Sequence, residues 1–179
     1  MNELSDTLLV QESLNGNKAA FSKLVMKYQT PVFGLAYRMT RSRDDAADLA
    51  QDTFIRAYMK LNQYKDDYPL KNWLLSICAN LSKNRFRKIS RQRGAERDHF
   101  DIYQSEIRNE NPNRIALEEA LAQIPESHRI PLILKHIEGL SYEEISQVLH
   151  IGISAAKMRV KRGRDILVDL LNTNRGGTI

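Results

Sequence analysis

The stretch Gly139-Leu140-Ser141-Tyr142-Glu143-Glu144-Ile145-Ser146-Gln147-Val148-Leu149-His150-Ile151-Gly152-Ile153-Ser154-Ala155-Ala156-Lys157-Met158-Arg159-Val160-Lys161-Arg162 decides the class of fold. Ser141, with Glu144 three residues later, is a capping box: each side chain bonds the other residue's free backbone amide and opens a helix. Ile145, Val148 and Leu149 give that helix an apolar side, His150 to Ile153 break it, and a last helix is predicted from Ser154 to about Leu171. Short helix, tight turn and second helix have the spacing of a helix-turn-helix. Wound at ~100° per residue, the last helix has Ala156, Val160, Gly163, Leu167, Leu170 and Leu171 on one side. Ser154, Lys157, Met158, Lys161 and Arg162 fall on the other. A basic outer face suits a major groove, where Lys and Arg hold phosphates or read guanine edges and Met158 meets a thymine methyl. A merely solvated cationic face accounts for the same charges, but the capping box and the turn at the right offset favour DNA binding.

Upstream, Ile115, Ala116, Leu117, Ala120, Leu121 and Ile124 predict a short amphipathic helix ended by Pro125. Ile130 to Ile137 predict another, ended by Gly139, with Pro131 implying a kink or a late start. Between residues 92 and 113 periodicity vanishes among Gly94, Glu96, Asp98, Asp101, Glu106, Glu110 and Pro112, which reads as a flexible linker. The expected organisation is all-α: two small helical domains, 1–91 and 114–179, joined by a linker at 92–113, with residues 172–179 a frayed tail.

In the first half, Asn17 opens a helix carrying Phe21, Leu24, Val25 and Tyr28. Thr30-Pro31 predicts a restart, with Val32, Leu35, Ala36 and Met39 inward. Ser42 caps a longer helix, with Asp44 and Asp45 in its first turn and Ala46, Leu49, Ala50, Thr53, Phe54, Ala57, Tyr58 and Leu61 on its apolar stripe. After a polar loop, Leu70, Trp73, Leu74, Ile77, Cys78 and Leu81 line a further helix. It turns basic at Lys83, Arg85, Arg87, Lys88, Arg91 and Arg93.

Composition narrows the function classes. Eight Gly and five Pro in 179 residues disfavour strand-and-turn folds. The lone Cys78 excludes an internal disulfide, and the Met1-Asn2-Glu3-Leu4 start lacks the basic and apolar regions of a signal peptide, which predicts a cytoplasmic protein. No apolar run approaches the ~18 residues of a membrane span; the longest, Ile130 to Leu134, stops at Lys135. No phosphate loop, nucleophile elbow or His-Glu-x-x-His motif occurs, and His99, His128, His136 and His150 have no ligand spacing. Neither a catalytic residue, a metal nor a cofactor is predicted. The net charge of +5 suits a polyanionic partner but leaves its distribution to decide.

Two further faces stand out. Trp73, Asn80, Asn84, Arg87 and Arg91 share one longitudinal strip. Such a strip fits single-stranded nucleic acid: cations follow the backbone, an aromatic stacks, and an amide bonds an exposed base edge. A packed tryptophan beside solvated arginines fits equally well. Asp45, Asp48, Gln51 and Asp52 form an acidic strip opposite the apolar stripe of their helix; solvation and the helix dipole explain the first acids, and a protein partner explains all four. A plain helix-turn-helix repressor would need neither strip.

These residues resemble the extracytoplasmic-function group of bacterial sigma factors. Asp45-Ala46-Ala47-Asp48-Leu49-Ala50-Gln51-Asp52-Thr53-Phe54 is similar to the Asp-Ala-Glu-Asp-Leu-x-Gln-x-x-Phe core of that family's region two. Trp73-Leu74-Leu75-Ser76-Ile77-Cys78-Ala79-Asn80 is similar to its Trp-Leu-x-x-Ile-Ala-x-Asn. Ile124-Pro125-Glu126, Gly139 to Ile145 and the arginine-rich last helix resemble region four.

The resemblance implies a subunit that directs core RNA polymerase to promoters. Asp45, Asp48, Gln51, Asp52 and Phe54 would dock on the clamp helices of the largest subunit, and the second domain on the flap of the second-largest. Trp73, Asn80, Asn84, Arg87, Lys88 and Arg91 would hold the opened minus-ten element, with a flipped base near Asn80. Ser154, Lys157, Met158, Arg159, Lys161 and Arg162 would read the minus-thirty-five duplex. It also implies an anti-sigma factor that occludes these surfaces, through which the protein would be held at a membrane without inserting itself. Ala155 and Met158 stand where the family usually has Thr and Ser, which implies a minus-thirty-five sequence other than the commonest one; Ser146 and His150 stand where Ala and a small residue are usual, and Asn84 where many relatives have Asp.

Overall fold

A computed structural model describes residues 5–92 and 112–175. They form α1 (Asp6–Leu14), α2 (Lys18–Thr40), α3 (Arg43–Met59), a 3-10 turn (Leu61–Gln63), α4 (Leu70–Gln92), α5 (Pro112–Gln123), α6 (Glu126–His136), α7 (Tyr142–Leu149) and α8 (Ile153–Arg175). The chain is all-α, with no strand among the described residues. The expected linker is trimmed at both ends by α4 and α5, and the remainder of that expectation falls outside the described residues. So does residue 176 onward of the expected tail; residues 172–175, expected to fray, continue α8.

The first bundle is built on α2, which packs against α1, α3 and α4. Asn17 caps it, its Oδ1 accepting from the Ala19 and Ala20 amides at 3.1 and 3.3 Å. The restart expected at Thr30-Pro31 does not occur: α2 runs unbroken through Pro31. An interior proline costs a helix ~3 kcal/mol, whereas burying one large apolar side chain gains ~1.5–3 kcal/mol. Val32, Leu35, Ala36 and Met39 beyond Pro31 are all buried, which offsets the loss. The carbonyl deprived of its donor belongs to Lys27, an exposed residue near water.

Ser42 caps α3 as expected, its Oγ accepting from the Asp45 amide at 3.2 Å. Ala46, Leu49, Ala50, Thr53, Phe54 and Ala57 are buried, while Tyr58 at the end of the expected stripe is exposed. On α4 burial extends beyond the expected stripe to Asn72, Leu75, Ser76, Ala79 and Ser82, because α2, α3 and α7 all pack on it. The periodicity reading has no counterpart to α1. Ser5 caps this helix, and Asp6 holds it to α2 through the Tyr28 hydroxyl and, at 2.9 Å, the Lys27 ammonium.

In the second bundle α6 and α7 pack against α8. α6 starts at Glu126 rather than near Ile130, so Pro131 lies inside it; the carbonyl it leaves without a donor is that of exposed Ser127. Arg129, 5% exposed, donates from Nη1 to the Ala122 carbonyl at 3.0 Å and so ties the end of α5 to α6. α8 crosses α6 at Gly163, where an added Cβ would lie 2.8 Å from the His128 carbonyl oxygen. Only glycine permits that approach. The two bundles touch chiefly where α4 meets α7.

Candidate polymerase and nucleic-acid interfaces

The acidic strip on α3 divides. Asp48, Gln51 and Asp52 are exposed, as expected for a contact surface. Asp45 instead accepts from Arg85 Nη2 of α4 at 2.5 Å, and Arg85 Nη1 reaches the Asp45 carbonyl at 3.3 Å. Phe54 is buried and, with Val25, Phe33, Tyr37 and Ala50, lines a groove between α2 and α3 that Gln51 borders. It supports the strip from beneath. The strip continues through Ile55 and Met59, 50% and 76% exposed, which the sequence reading did not include. Their spacing from Asp48, seven and eleven residues on, would have placed them on that face.

Asn80 and Asn84 on α4 are exposed, and neither bonds another described residue. Trp73, two turns before Asn80 on the strip, is half-buried and packs its ring against Tyr64 with centroids 5.4 Å apart. Tyr64 donates its hydroxyl to the Tyr68 carbonyl at 2.9 Å, and burial, aided by Asp66, pushes its pKa up to about 12, so the phenol stays neutral. Trp73 is therefore a partly buried ring held against Tyr64, combining the core and the surface reading. The side chains of Arg87, Lys88 and Arg91 lie outside the described residues. Cys78 is fully buried, with its thiol pushed up to about 12 by desolvation, which leaves no reactive thiolate.

The helix-turn-helix is formed by α7 and α8. Ser141 Oγ accepts from the Glu144 amide at 3.1 Å, and Glu144 Oε2 accepts from the Ser141 amide at 2.7 Å. His150 takes the left-handed conformation, φ 52°, that ends α7, and Ser146 donates to the Ile151 carbonyl at 2.6 Å to brace the turn. Ile145, Val148, Leu149, Ala156 and Val160 form the buried seam. That seam leaves Ser154, Lys157, Met158, Lys161 and Arg162 exposed, with Arg159 half-buried at the edge. Lys157 lies over the Tyr142 ring at 5.7 Å and Lys135 at 4.7 Å, a positioning contact that the sequence reading missed. Beneath α8, burial and then the nearby Arg162 and Arg159 hold His128 below its ordinary pKa of 6.5, so it adds no charge at neutral pH.

One bundle thus carries an acidic and apolar strip beside an amide-bearing helix, and the other a basic helix-turn-helix: the layout of a DNA-binding protein with a second, protein-facing surface. Residues 24–92 match the family model of Sigma-70 region 2, and residues 114–167 that of Sigma-70, region 4. The chain is 31% identical over 176 residues to the RNA polymerase sigma-H factor of Pseudomonas aeruginosa, covering 90% of this chain and 91% of that one. It is 30% identical over 179 residues to the ECF RNA polymerase sigma-E factor of Escherichia coli K12, covering 92% and 93%. Among solved structures, the sigma factor RpoE in complex with the anti-sigma factor NepR from Bartonella quintana superposes with a TM-score of 0.71 at 26% identity, over 85% of this chain and 96% of that one. CnrH in complex with the cytosolic domain of CnrY gives 0.71 at 25% identity, over 94% and 97%.

The chain belongs to the extracytoplasmic-function sigma factors of bacterial RNA polymerase. It is a non-enzymatic initiation factor that supports promoter-specific transcription. Among the described residues no helix is long and apolar enough to cross a membrane.

Proposed function

We propose that the two bundles divide promoter recognition: residues 1–91 bind polymerase and the opened minus-ten element, and residues 114–179 bind the minus-thirty-five duplex, with 92–113 between them. The observation that carries this reading is the exposure of Asn80 and Asn84, without partners among the described residues, on the helix that holds Trp73 against Tyr64. A free amide offers both a donor and an acceptor to a flipped base, which a paired base inside a duplex cannot meet. Arg87, Lys88 and Arg91 follow on the same helix and supply charge for the adjacent backbone.

Asp48, Gln51, Asp52, Ile55 and Met59 supply a surface of charge and apolar area for the clamp helices of the polymerase's largest subunit, and the second bundle meets the flap of the second-largest. On α8, Lys157, Lys161, Arg159 and Arg162 hold phosphates or guanine edges, Ser154 sits at the helix start, and Met158 meets a thymine methyl. An anti-sigma partner is supported by the solved RpoE structure, which is bound to the anti-sigma factor NepR.

Selecting transcribed templates from a random promoter library with core polymerase plus this protein tests the reading. Two enriched elements at a fixed spacing are expected; enrichment of a single duplex site, or none, overturns it.

A further inference from the structure

The exposed face of α8 has two flanks, and α6 adds a basic group to each. Wound at ~100° per residue, α8 has Ser154 and Met158 at the centre of that face, Lys157 and Lys161 on one flank, and Arg159 and Arg162 on the other. On the lysine flank, Lys135 of α6 shares the Tyr142 ring with Lys157, the two ammonium groups lying 4.7 and 5.7 Å from its centroid. On the arginine flank the group from α6 is His128. Gly163, next to Arg162 and one turn beyond Arg159, is where α8 crosses α6; a Cβ there would lie 2.8 Å from the His128 carbonyl oxygen.

The His128 ring is unused by the fold: it makes no hydrogen bond to another described residue. Its Nδ1 is buried and the ring half-exposed, so Nε2 is the nitrogen left to meet a ligand. The charges that act on the ring, Arg162 and Arg159, are both positive and with burial keep it neutral in the free chain. On its own helix Glu126, two residues back, acts on Arg129. Pro125 gives α6 no side-chain cap, so the first amides of that helix add to the positive field. An imidazole edge beside two guanidiniums and an uncapped helix start is a set of donors that an anion completes.

We infer that His128 is a phosphate ligand of the minus-thirty-five duplex, forming with Arg159 and Arg162 a seat for one backbone phosphate opposite the Lys135–Lys157 flank. The inference rests on the reading that α8 enters that duplex. A major groove ~12 Å wide admits a helix ~10–12 Å across with its flanks against the two phosphate backbones. A phosphate in the seat reverses the sign of the field on the ring, so the ring takes up a proton on binding. Affinity is then level above the bound ring's pKa and rises as pH falls from there toward the lower pKa of the free ring. The contact fixes position and carries no base information.

The test measures the affinity of holoenzyme for the upstream duplex of a selected promoter at pH 8 and at about pH 6, at two salt concentrations. Comparing wild type with variant at each pH cancels the titration of polymerase itself. His128→Gln, neutral throughout, should match wild type at pH 8 and bind severalfold less tightly at about pH 6, where the wild-type salt slope should be steeper than the variant's by about one. His128→Asn gives the same comparison if His128→Gln fails to fold. Equal pH dependence and equal slopes in wild type and folded variant overturn the inference. Arg162→Ala separates the two possible failures, because it should weaken binding at both pH values. If it does while the His128 variants change nothing, the seat is wrong and the duplex reading stands; if neither alters duplex binding, both fall.

Discussion

Arg85 of α4 and Asp45 of α3 form an ion pair at 2.5 Å, joining the helix proposed to hold opened DNA to the helix proposed to bind polymerase. Both side chains keep contact with water, 38% and 48% exposed, so the pair contributes no more than ~1 kcal/mol. Asp45→Ala and Arg85→Ala should each lower stability by ~0.2–1 kcal/mol, and the double variant by less than the sum. Denaturant unfolding of the four proteins checks this; fully additive losses would show that the two groups do not interact.

Gly163 is fixed by packing rather than by backbone conformation. Gly163→Ala places a methyl 2.8 Å from the His128 carbonyl, which is backbone and cannot swing away. The second bundle should lose ~1–3 kcal/mol, and duplex binding should fall with it. Unchanged thermal unfolding would contradict this crossing of α6 and α8.

Glu144 gives the helix-turn-helix an acid limit. The Ser141 amide above all, then Asn72, the Ser141 hydroxyl and Lys71, hold its carboxyl below the ordinary value of 4.5, and burial opposes them only in part. A carboxylate with a lowered folded pKa contributes stability that is complete above the unfolded value and is lost as pH falls through the folded one. Glu144→Gln should therefore destabilise at pH 7 and flatten the loss of stability below about 4.5. Parallel acid-unfolding curves for variant and wild type would remove Glu144 from this role.

How legible this was in the sequence depends on the range of each interaction. The caps at Ser42 and Ser141 bond amides three residues away, and both were readable from local spacing. The buried side of α8 followed from its 3.6-residue period. Pro31 and Pro131 misled because a local rule against interior proline was outweighed by tertiary burial on either side. Arg85–Asp45 spans 40 residues and Asn72–Glu144 spans 72, and no spacing rule reaches that far. For the same reason the pairing of Asp45 with Arg85 was not legible, whereas the burial of Phe54 followed from its place on the apolar stripe of its helix.

On α8 the predicted effects separate by chemistry. Arg162→Ala removes a charge and should weaken duplex binding across sequences while reducing the salt slope by about one. Met158→Ser removes an apolar contact and should change the preferred base at one minus-thirty-five position with little change in slope. Promoter selection at two salt concentrations distinguishes them. An unaltered base profile for Met158→Ser would assign that methionine to the surface alone.

The central claim is that α4 holds the minus-ten element as an opened strand, and permanganate reactivity of its thymines in the holoenzyme–promoter complex tests it most directly. Wild-type protein should render those thymines reactive. Asn80→Ala should still associate with core polymerase and still protect the minus-thirty-five element, yet leave them unreactive. Normal reactivity with Asn80→Ala, or none with wild type on a transcribed promoter, would contradict the account.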